Sequence, residues 1–278
     1  MSYLSVVLMG ILQGVAEFLP ISSSGHLALF QHFFGMEDFE KTQLFFTVLL
    51  HFGTFLSVCV YYFQDIVDMI REFFLGVRDL ARGSQTPPPP ARRMVLLIVV
   101  ATLPLFAVLP VKKYIEAATG SVTFVSIALL VTGCILFFSD RLAKGRKTAK
   151  NATVLDALLV GVAQGVGTLP GISRSGMTIS AGMLRGYDRS FAVRFSFLMS
   201  LPAVFGATIL ELKDAIEMGA IHTELLPCYL LGVLVSFVVG LGAIRLVNAL
   251  ANKGKFGNFA YYCWGVGLIS LIAGFVVK

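Results

Sequence analysis

Apolar residues along this chain arrive in long, nearly unbroken runs. Six of them, at about 45–63, 94–111, 121–139, 190–210, 227–247 and 258–277, are long enough to cross a bilayer. Each is expected to be a helix, because backbone exposed to lipid must satisfy its own hydrogen bonds. Two further regions, 4–34 and 154–185, are as apolar but carry a polar knot in the middle. The knots read PISSSGHLAL, Pro20 to Leu29, and LPGISRSGMTIS, Leu169 to Ser180. A Pro or Pro-Gly followed by serines stops one helix and caps the next. Each region therefore predicts two short helices joined at a polar tip, a re-entrant hairpin. Such backbone is tolerated at membrane depth only where protein or a water-filled cavity surrounds it. Residues 85–90, Gln-Thr-Pro-Pro-Pro-Pro, predict an extended surface linker.

The two knots belong to an internal repeat. QGVAEFLPISSSG (13–25) aligns without gaps on QGVGTLPGISRSG (164–176), 151 residues later, with seven of thirteen positions identical. Gly10 pairs with Gly161 upstream, and FTVLLHFGT (46–54) meets FSFLMSLPA (195–203) more weakly. The expected organisation is one membrane domain over 1–278, made of repeat 1 (about 4–139) and repeat 2 (about 154–277). Each repeat is a hairpin followed by three spans. Three is odd, so the halves should insert in opposite orientations. Segments 64–93, 140–153, 185–194 and 245–257 hold sixteen of the 22 lysines and arginines. The opposite segments hold five, Lys41, Lys112, Lys113, Lys213 and Lys278, and Arg174 lies in a knot. This bias puts the rich segments in the cytoplasm and both termini outside it. Hairpin 1 then enters from outside, hairpin 2 from the cytoplasm, and their tips can meet near the midplane. The fold class is thus an all-α integral membrane protein with six transmembrane helices, two re-entrant hairpins and an inverted-topology repeat, an arrangement common in secondary transporters.

Composition narrows the picture further. The chain is 56% hydrophobic and 14% charged, with mean hydropathy +0.83, where a soluble domain carries about 25% charged residues. The net charge of +6 does not signal nucleic acid, because the basic residues are scattered through short loops beside apolar runs. Cys59, Cys134, Cys228 and Cys263 lie in apolar runs with no CxxC pair, and are expected to be small buried hydrophobes rather than a redox or metal site. The N-terminus lacks the basic region and cleavage site of a secretory signal, so no cleavage is expected.

Chemistry concentrates in the knots. Glu17 is an acid inside an apolar helix, with Gln13 one turn earlier on the same face. A charge at the bilayer centre costs about 2.5–3.5 kcal/mol on insertion scales, so Glu17 requires a partner or water. Its bland reading is a carboxylate that pins the hairpins together by pairing with an arginine. Ser22, Ser23 and Ser24 lead into Gly25 and His26. One serine suffices as a helix cap; three with a histidine exceed that need. A helix N-terminus holds anions, and His26 can act as base, acid or nucleophile. The second knot offers Ser173, Arg174, Ser175 and Thr178, with a guanidinium fork suited to phosphate or carboxylate oxygens. Together the tips describe an anion site, phosphate before others, inside the membrane. The residues alone do not identify the anion.

At these residues the chain resembles the undecaprenyl-diphosphate phosphatase family, also called the bacitracin-resistance protein family. The two family signatures, (E/Q)xxxE and PGxSRSxxT, read here Gln13-Gly-Val-Ala-Glu17 and Pro170-Gly-Ile-Ser173-Arg174-Ser175-Gly-Met-Thr178. FLPISSSGH, Phe18 to His26, matches as well, and the likeness covers essentially the whole chain. The resemblance implies hydrolysis of undecaprenyl diphosphate to the monophosphate, which recycles the lipid carrier for peptidoglycan synthesis and gives bacitracin resistance. It implies a divalent cation, Mg²⁺ or Ca²⁺, and a bacterial inner-membrane protein whose site opens to the periplasmic or extracellular face. By matching position, Glu17 and Gln13 are the acidic-motif residues, with Glu17 the candidate metal ligand. Ser23 and His26 are the candidate nucleophiles and acid/base groups. Arg174 binds the diphosphate, with Ser22, Ser24, Ser173, Ser175 and Thr178 as further binding residues. Because the first motif position is Gln13 rather than Glu, Glu17 alone carries any carboxylate role.

The mechanistic expectation is that Arg174 and the metal hold the diphosphate while Glu17, with His26, activates Ser23 or a water for attack on the terminal phosphorus. Ser23 ranks ahead of His26 as nucleophile. Expected partners are the lipid diphosphate and membrane lipids, with a homodimer as a candidate assembly and no nucleic acid. Two other classes compete. A transporter or flippase of a phosphorylated lipid would share the architecture. A type-2 phosphatidic-acid phosphatase would share the PSGH-like Ser23-Ser24-Gly25-His26, but its two other motifs are absent.

Overall fold

The computed structural model describes residues 2–34, 44–83, 87–217 and 222–276. Lys41 and Lys278 from the charge count, and residues 85–86 of the linker, lie outside them. Helices make up the described chain in the order α1 (Tyr3–Ala16), α2 (Ser23–Phe34), α3 (Leu44–Tyr61), α4 (Phe63–Ala81), α5 (Pro90–Thr102), α6 (Lys112–Thr119) and α7 (Val122–Leu142). The second half continues with α8 (Val154–Val166), α9 (Arg174–Leu184), α10 (Arg189–Glu217), α11 (Leu226–Asn252) and α12 (Phe259–Val276). Among the described residues there is no strand, only an isolated bridge between Lys147 and Tyr187. Five segments, Pro90–Ile115, Val122–Leu142, Arg189–Glu217, Leu226–Asn252 and Phe256–Val276, are long and apolar enough to cross a membrane. A sixth is reached if α3 and α4, bent 79° apart, count as one.

Two departures from the sequence pattern have plain causes. Residues 64–93, expected as a charged loop, contain α4, an amphipathic helix. Charges such as Asp65, Asp68 and Glu72 alternate with exposed Phe63, Ile70, Phe74 and Val77. Its apolar residues recur at helical spacing, so they do not form a run. The run 94–111 is helical only to Thr102 and then tightens into 3₁₀ turns, Leu103–Ala107 and Leu109–Val111. Pro104 and Pro110 lack the N–H that an α-helix would use there.

The helices that end at the polar knots lie beside long helices and stop partway along them. On α1, Gly10 abuts Gly232 and Val235 of α11, and Gly14 abuts Ser236, Val239 and Gly240. The contacts advance together, so the two helices run in the same direction, and α1 ends beside the middle of α11. On α8, Gly161 abuts Ala101 of α5 and Gly165 abuts Val108, so α8 runs with α5 in the same way. Small residues let these backbones approach closely. Next, α7 packs on α12, α3 packs on both α10 and α11, and α9 sits among α7, α8 and α10.

All four Lys/Arg-rich segments meet at one end of the molecule. Arg93 donates to the carbonyls of Ala149 (3.0 Å) and Ala152 (2.7 Å). Arg189 pairs with Asp140, which also accepts from the Gly257 N–H at 2.8 Å. Ser190 donates to Asn252 at 2.7 Å. The base of α8 is fixed at this end too: Asp156, fully buried, accepts from Lys147 (2.7 Å) and Arg185 (2.9 Å). The four cysteines are free thiols. Cys228 and Cys263 are buried as expected, but Cys134 is exposed on α7. It sits on a surface as apolar as the core, shared with Ile127, Val131 and Phe138, so an apolar run did not imply burial against protein.

Candidate active site

The two knots cap their second helices with matching serines. Ser22 adopts φ +67°, a left-handed conformation that costs a non-glycine residue roughly 1–2 kcal/mol. The turn aims its Oγ at the first turn of α2, where it accepts from the Gly25 N–H at 3.2 Å. Ser173, 151 residues on, accepts from the Gly176 N–H at 3.1 Å and caps α9. Ser23 and Arg174 are therefore the first residues of their helices. The tips touch: a Cβ on Gly25 would lie 2.8 Å from Gly171 Cα. Gly171 itself, at φ +87°, packs its backbone against Val125 and Ala128, where only glycine fits.

Between the tips lies a cavity of about 210 Å³. Glu17, Ser22, Ser23 and Ser24 line it from the first tip, and Thr168, Ser173, Arg174 and Ser175 from the second; His51, Thr208 and Glu211 complete the wall. Arg174 donates through Nη2 to Glu17 Oε1. Gln13 Nε2 donates to Glu17 Oε2 at 3.1 Å and lies 3.0 Å from His51 Nδ1. With the amide donating, His51 Nδ1 carries the lone pair and Nε2 the proton. The Glu17 side chain is only 7% exposed, yet both its oxygens are met by donors, which is what a buried carboxylate requires. Two capped helix N-termini, one guanidinium and several hydroxyls around one carboxylate make a site for an anion. Among the described residues no hydrogen bond engages the Ser23 hydroxyl, which leaves it free to meet a ligand.

Not every candidate lies on this wall. Gln13 stands behind Glu17. Thr178 is buried, and its hydroxyl donates to the Arg174 carbonyl at 2.9 Å. His26 turns away: Nδ1 meets the Ser22 carbonyl at 2.8 Å and Nε2 the Tyr262 hydroxyl at 2.9 Å. Since a carbonyl only accepts, Nδ1 holds the proton of the neutral ring and Nε2 accepts from Tyr262. Sequence reasoning passed over His51, Thr168, Glu211 and Tyr262. His51 was visible as an ionisable residue inside an apolar run. Thr168 was visible as the position that aligns with Glu17. Glu211 and Tyr262 reach the tips only through tertiary packing.

A larger cavity, about 560 Å³, lies at the basic end, but its charges have both signs and include the Arg194–Asp65 pair. It offers no concentration of positive charge for an anion. Among the described residues no three His, Cys, Asp or Glu side chains cluster to hold a metal. The carboxylates on the wall of the tip cavity, Glu17 and Glu211, are hard oxygen donors of the kind Mg²⁺ and Ca²⁺ use. Mg²⁺ in particular is commonly held by one or two carboxylates plus ligand phosphate and water.

The family model described as bacitracin resistance protein BacA matches residues 6–269 of the chain. Among curated proteins, the undecaprenyl-diphosphatase of Alkaliphilus metalliredigens is 41% identical over 274 residues, covering 98% of both chains. That of Desulforapulum autotrophicum is 40% identical over 277 residues, covering 97% of this chain and 98% of its own. That of Methanosphaera stadtmanae is 37% identical over 281 residues, covering 99% of each.

Proposed function

The chain belongs to the bacitracin resistance protein BacA family, and from that premise we propose that the cavity between the two tips is where it hydrolyses undecaprenyl diphosphate to undecaprenyl phosphate and inorganic phosphate. The activity is that of relatives alike over almost their whole length; a carrier that moves the lipid without cleaving it has no such support. The observation that carries the assignment of the site is that Ser23, whose hydroxyl is free of hydrogen bonds among the described residues, and Arg174 line one cavity, each as the first residue of a helix.

In this reading the diphosphate enters between the N-termini and takes the Arg174 fork, drawing it from its bond to Glu17. Glu17 is thereby released to act as a base. Ser23 Oγ bonds to the terminal phosphorus, its proton passes to Glu17, and the bridging P–O bond breaks as undecaprenyl phosphate leaves into the bilayer. Water then attacks the phosphoserine; Glu17 returns its proton to Ser23 Oγ as the Ser–O–P bond breaks, and phosphate departs carrying both of the water's protons. A serine without an adjacent base is a poor nucleophile, which is why Glu17 must be close. Ser22, Ser24, Ser173 and Ser175 supply hydroxyls and N–H groups to the phosphate oxygens. His26 and Thr178 hold the first turns of their helices. A Mg²⁺ or Ca²⁺ ion would be held by Glu17 or Glu211 together with diphosphate oxygens, and would neutralise charge on the leaving group.

The same reading gives the topology. A six-span protein with two re-entrant hairpins and inverted halves is supported by α1 and α8, which each follow a long helix partway and end at the shared cavity. The gathering of the basic segments at one end supports that end as cytoplasmic, and the cavity wall at Thr208 and Glu211, toward the opposite end of α10, supports its opening to the periplasmic side of the inner membrane. Phosphate release from undecaprenyl diphosphate in detergent, with and without EDTA, tests the function for the wild type and Glu17→Gln. We expect release from the wild type without any second compartment, and its loss in the variant and on chelation. Phosphohistidine trapped at His26 would replace Ser23 as nucleophile.

A further inference from the structure

Gln13 backs Glu17, but Gln164, its partner in the sequence repeat, has no such visible task. It lies on α8, is completely buried, and among the described residues neither its Oε1 nor its Nε2 finds a hydrogen-bond partner. An amide is not buried in that state without cause, because the desolvation is not repaid. Its surroundings supply the cause. Gln164 borders a small chamber of about 10 Å³ together with Glu17, Arg174, Thr178, Ser196 and Ser200, roughly the room one water needs. The hydroxyl protons of this wall are already committed. Thr178 donates to the Arg174 carbonyl at 2.9 Å and Ser200 to the Phe197 carbonyl at 2.8 Å. Ser196, 2.6 Å from Thr178, can then donate to it. The hydroxyls present lone pairs to the chamber, and Arg174 presents donors only.

We propose that Gln164 is a positioning residue for Arg174 that acts through one bound water. The water accepts from the guanidinium and donates to Gln164 Oε1. Gln13 thus fixes the carboxylate of the site directly, and Gln164 fixes the guanidinium at one remove. The role rests on Arg174 being the diphosphate clamp: once the ligand draws the guanidinium away from Glu17, the water-held side still points it at the phosphate.

The test uses the full-length protein in detergent, with undecaprenyl diphosphate as substrate and inorganic pyrophosphate as inhibitor. Gln164→Met keeps the volume and removes the amide. Its KM and the pyrophosphate inhibition constant should both rise about tenfold, the scale of lost outer-shell support. Its thermal midpoint should hold or rise, since an apolar group suits a buried site better than an unpaired amide. Gln164→Asn, which keeps the amide and leaves space for a second water, should recover most of the loss. Gln164→Glu should raise both constants by pulling Arg174 off the ligand. Wild-type constants in the Met variant would overturn the proposal. So would a fall in midpoint that tracks the activity while pyrophosphate inhibition is unchanged, or loss of the fold in the Met variant with normal constants in the Glu variant. Arg174→Ala separates the two levels. If it stays active, the clamp is wrong and this role falls with it; if it is inactive while Gln164→Met is normal, only this role is wrong.

Discussion

The two tips share one serine cap but turn differently, carry different side chains and are anchored differently. Ser22 and Ser173 cap their helices in the same way. Where the first tip has Glu17 and Ser23, the second has Thr168 and Arg174. Their bases differ too. Ser2 caps α1 through an exposed bond to the Ser5 N–H at 3.1 Å. At the repeat-related position Thr153 forms a reciprocal capping box with Asp156, which is also tied to Lys147 and Arg185. Burial works against ionising Asp156, but its bonds to Lys147, Thr153 and Arg185 prevail and hold the carboxyl below the usual carboxylate range. That support is present at neutral pH and is lost only as pH falls below about 4, where the unfolded chain protonates. In the proposed mechanism the firmly tied second tip is the electrostatic platform, and the first tip brings the reacting groups to it. Two helix N-termini line one cavity, and the different side chains at two pairs of matched positions give it direction.

The sharpest break of this comparison is Arg174→Ala. A charge clamp at a developing phosphate should cost at least about 10³-fold in kcat/KM, measured as phosphate release. Arg174→Lys should recover only part of it, because an ammonium lacks the bidentate fork. The next test exchanges the tips. Glu17→Thr combined with Thr168→Glu keeps one acid and one arginine in the cavity but puts both on the second tip. We expect the fold to survive, since the carboxylate still has Arg174 beside it. Phosphate release should fall by roughly 10²-fold, because general-base help to the nucleophile is lost from the first tip. Retained activity would mean that the cavity needs only its charges and not their placement.

How much of this was readable without coordinates depends on range. The apolar runs and the two knots were legible because a membrane forces long uniform segments and punishes interruptions. Glu17, Ser23 and Arg174 were legible because polar residues at such interruptions need a reason. The amphipathic α4 was not, since its apolar residues are spaced rather than contiguous. His26 stood out by composition, but its direction depends on Tyr262, 236 residues away. Glu211 and the chamber at Gln164 arise where α10 and α8 meet the tips, a contact that no local pattern encodes.

The smallest expected effect tests the shared plan itself. If Ser22 and Ser173 are equivalent caps, Ser22→Ala and Ser173→Ala should each destabilise by about 1 kcal/mol, read as similar shifts of the thermal midpoint in detergent. Glycine should separate them. A glycine cap is only a few tenths of a kcal/mol weaker than serine. At position 22, with φ +67°, glycine also relieves the left-handed strain. At position 173, with φ −76°, there is no strain to relieve, and glycine adds only chain entropy to the unfolded state. Ser22→Gly should therefore raise the midpoint slightly and Ser173→Gly lower it. Opposite signs at two matched serines would locate the divergence of the tips in the backbone as well as in Glu17 and Arg174. Equal shifts would confine it to the side chains.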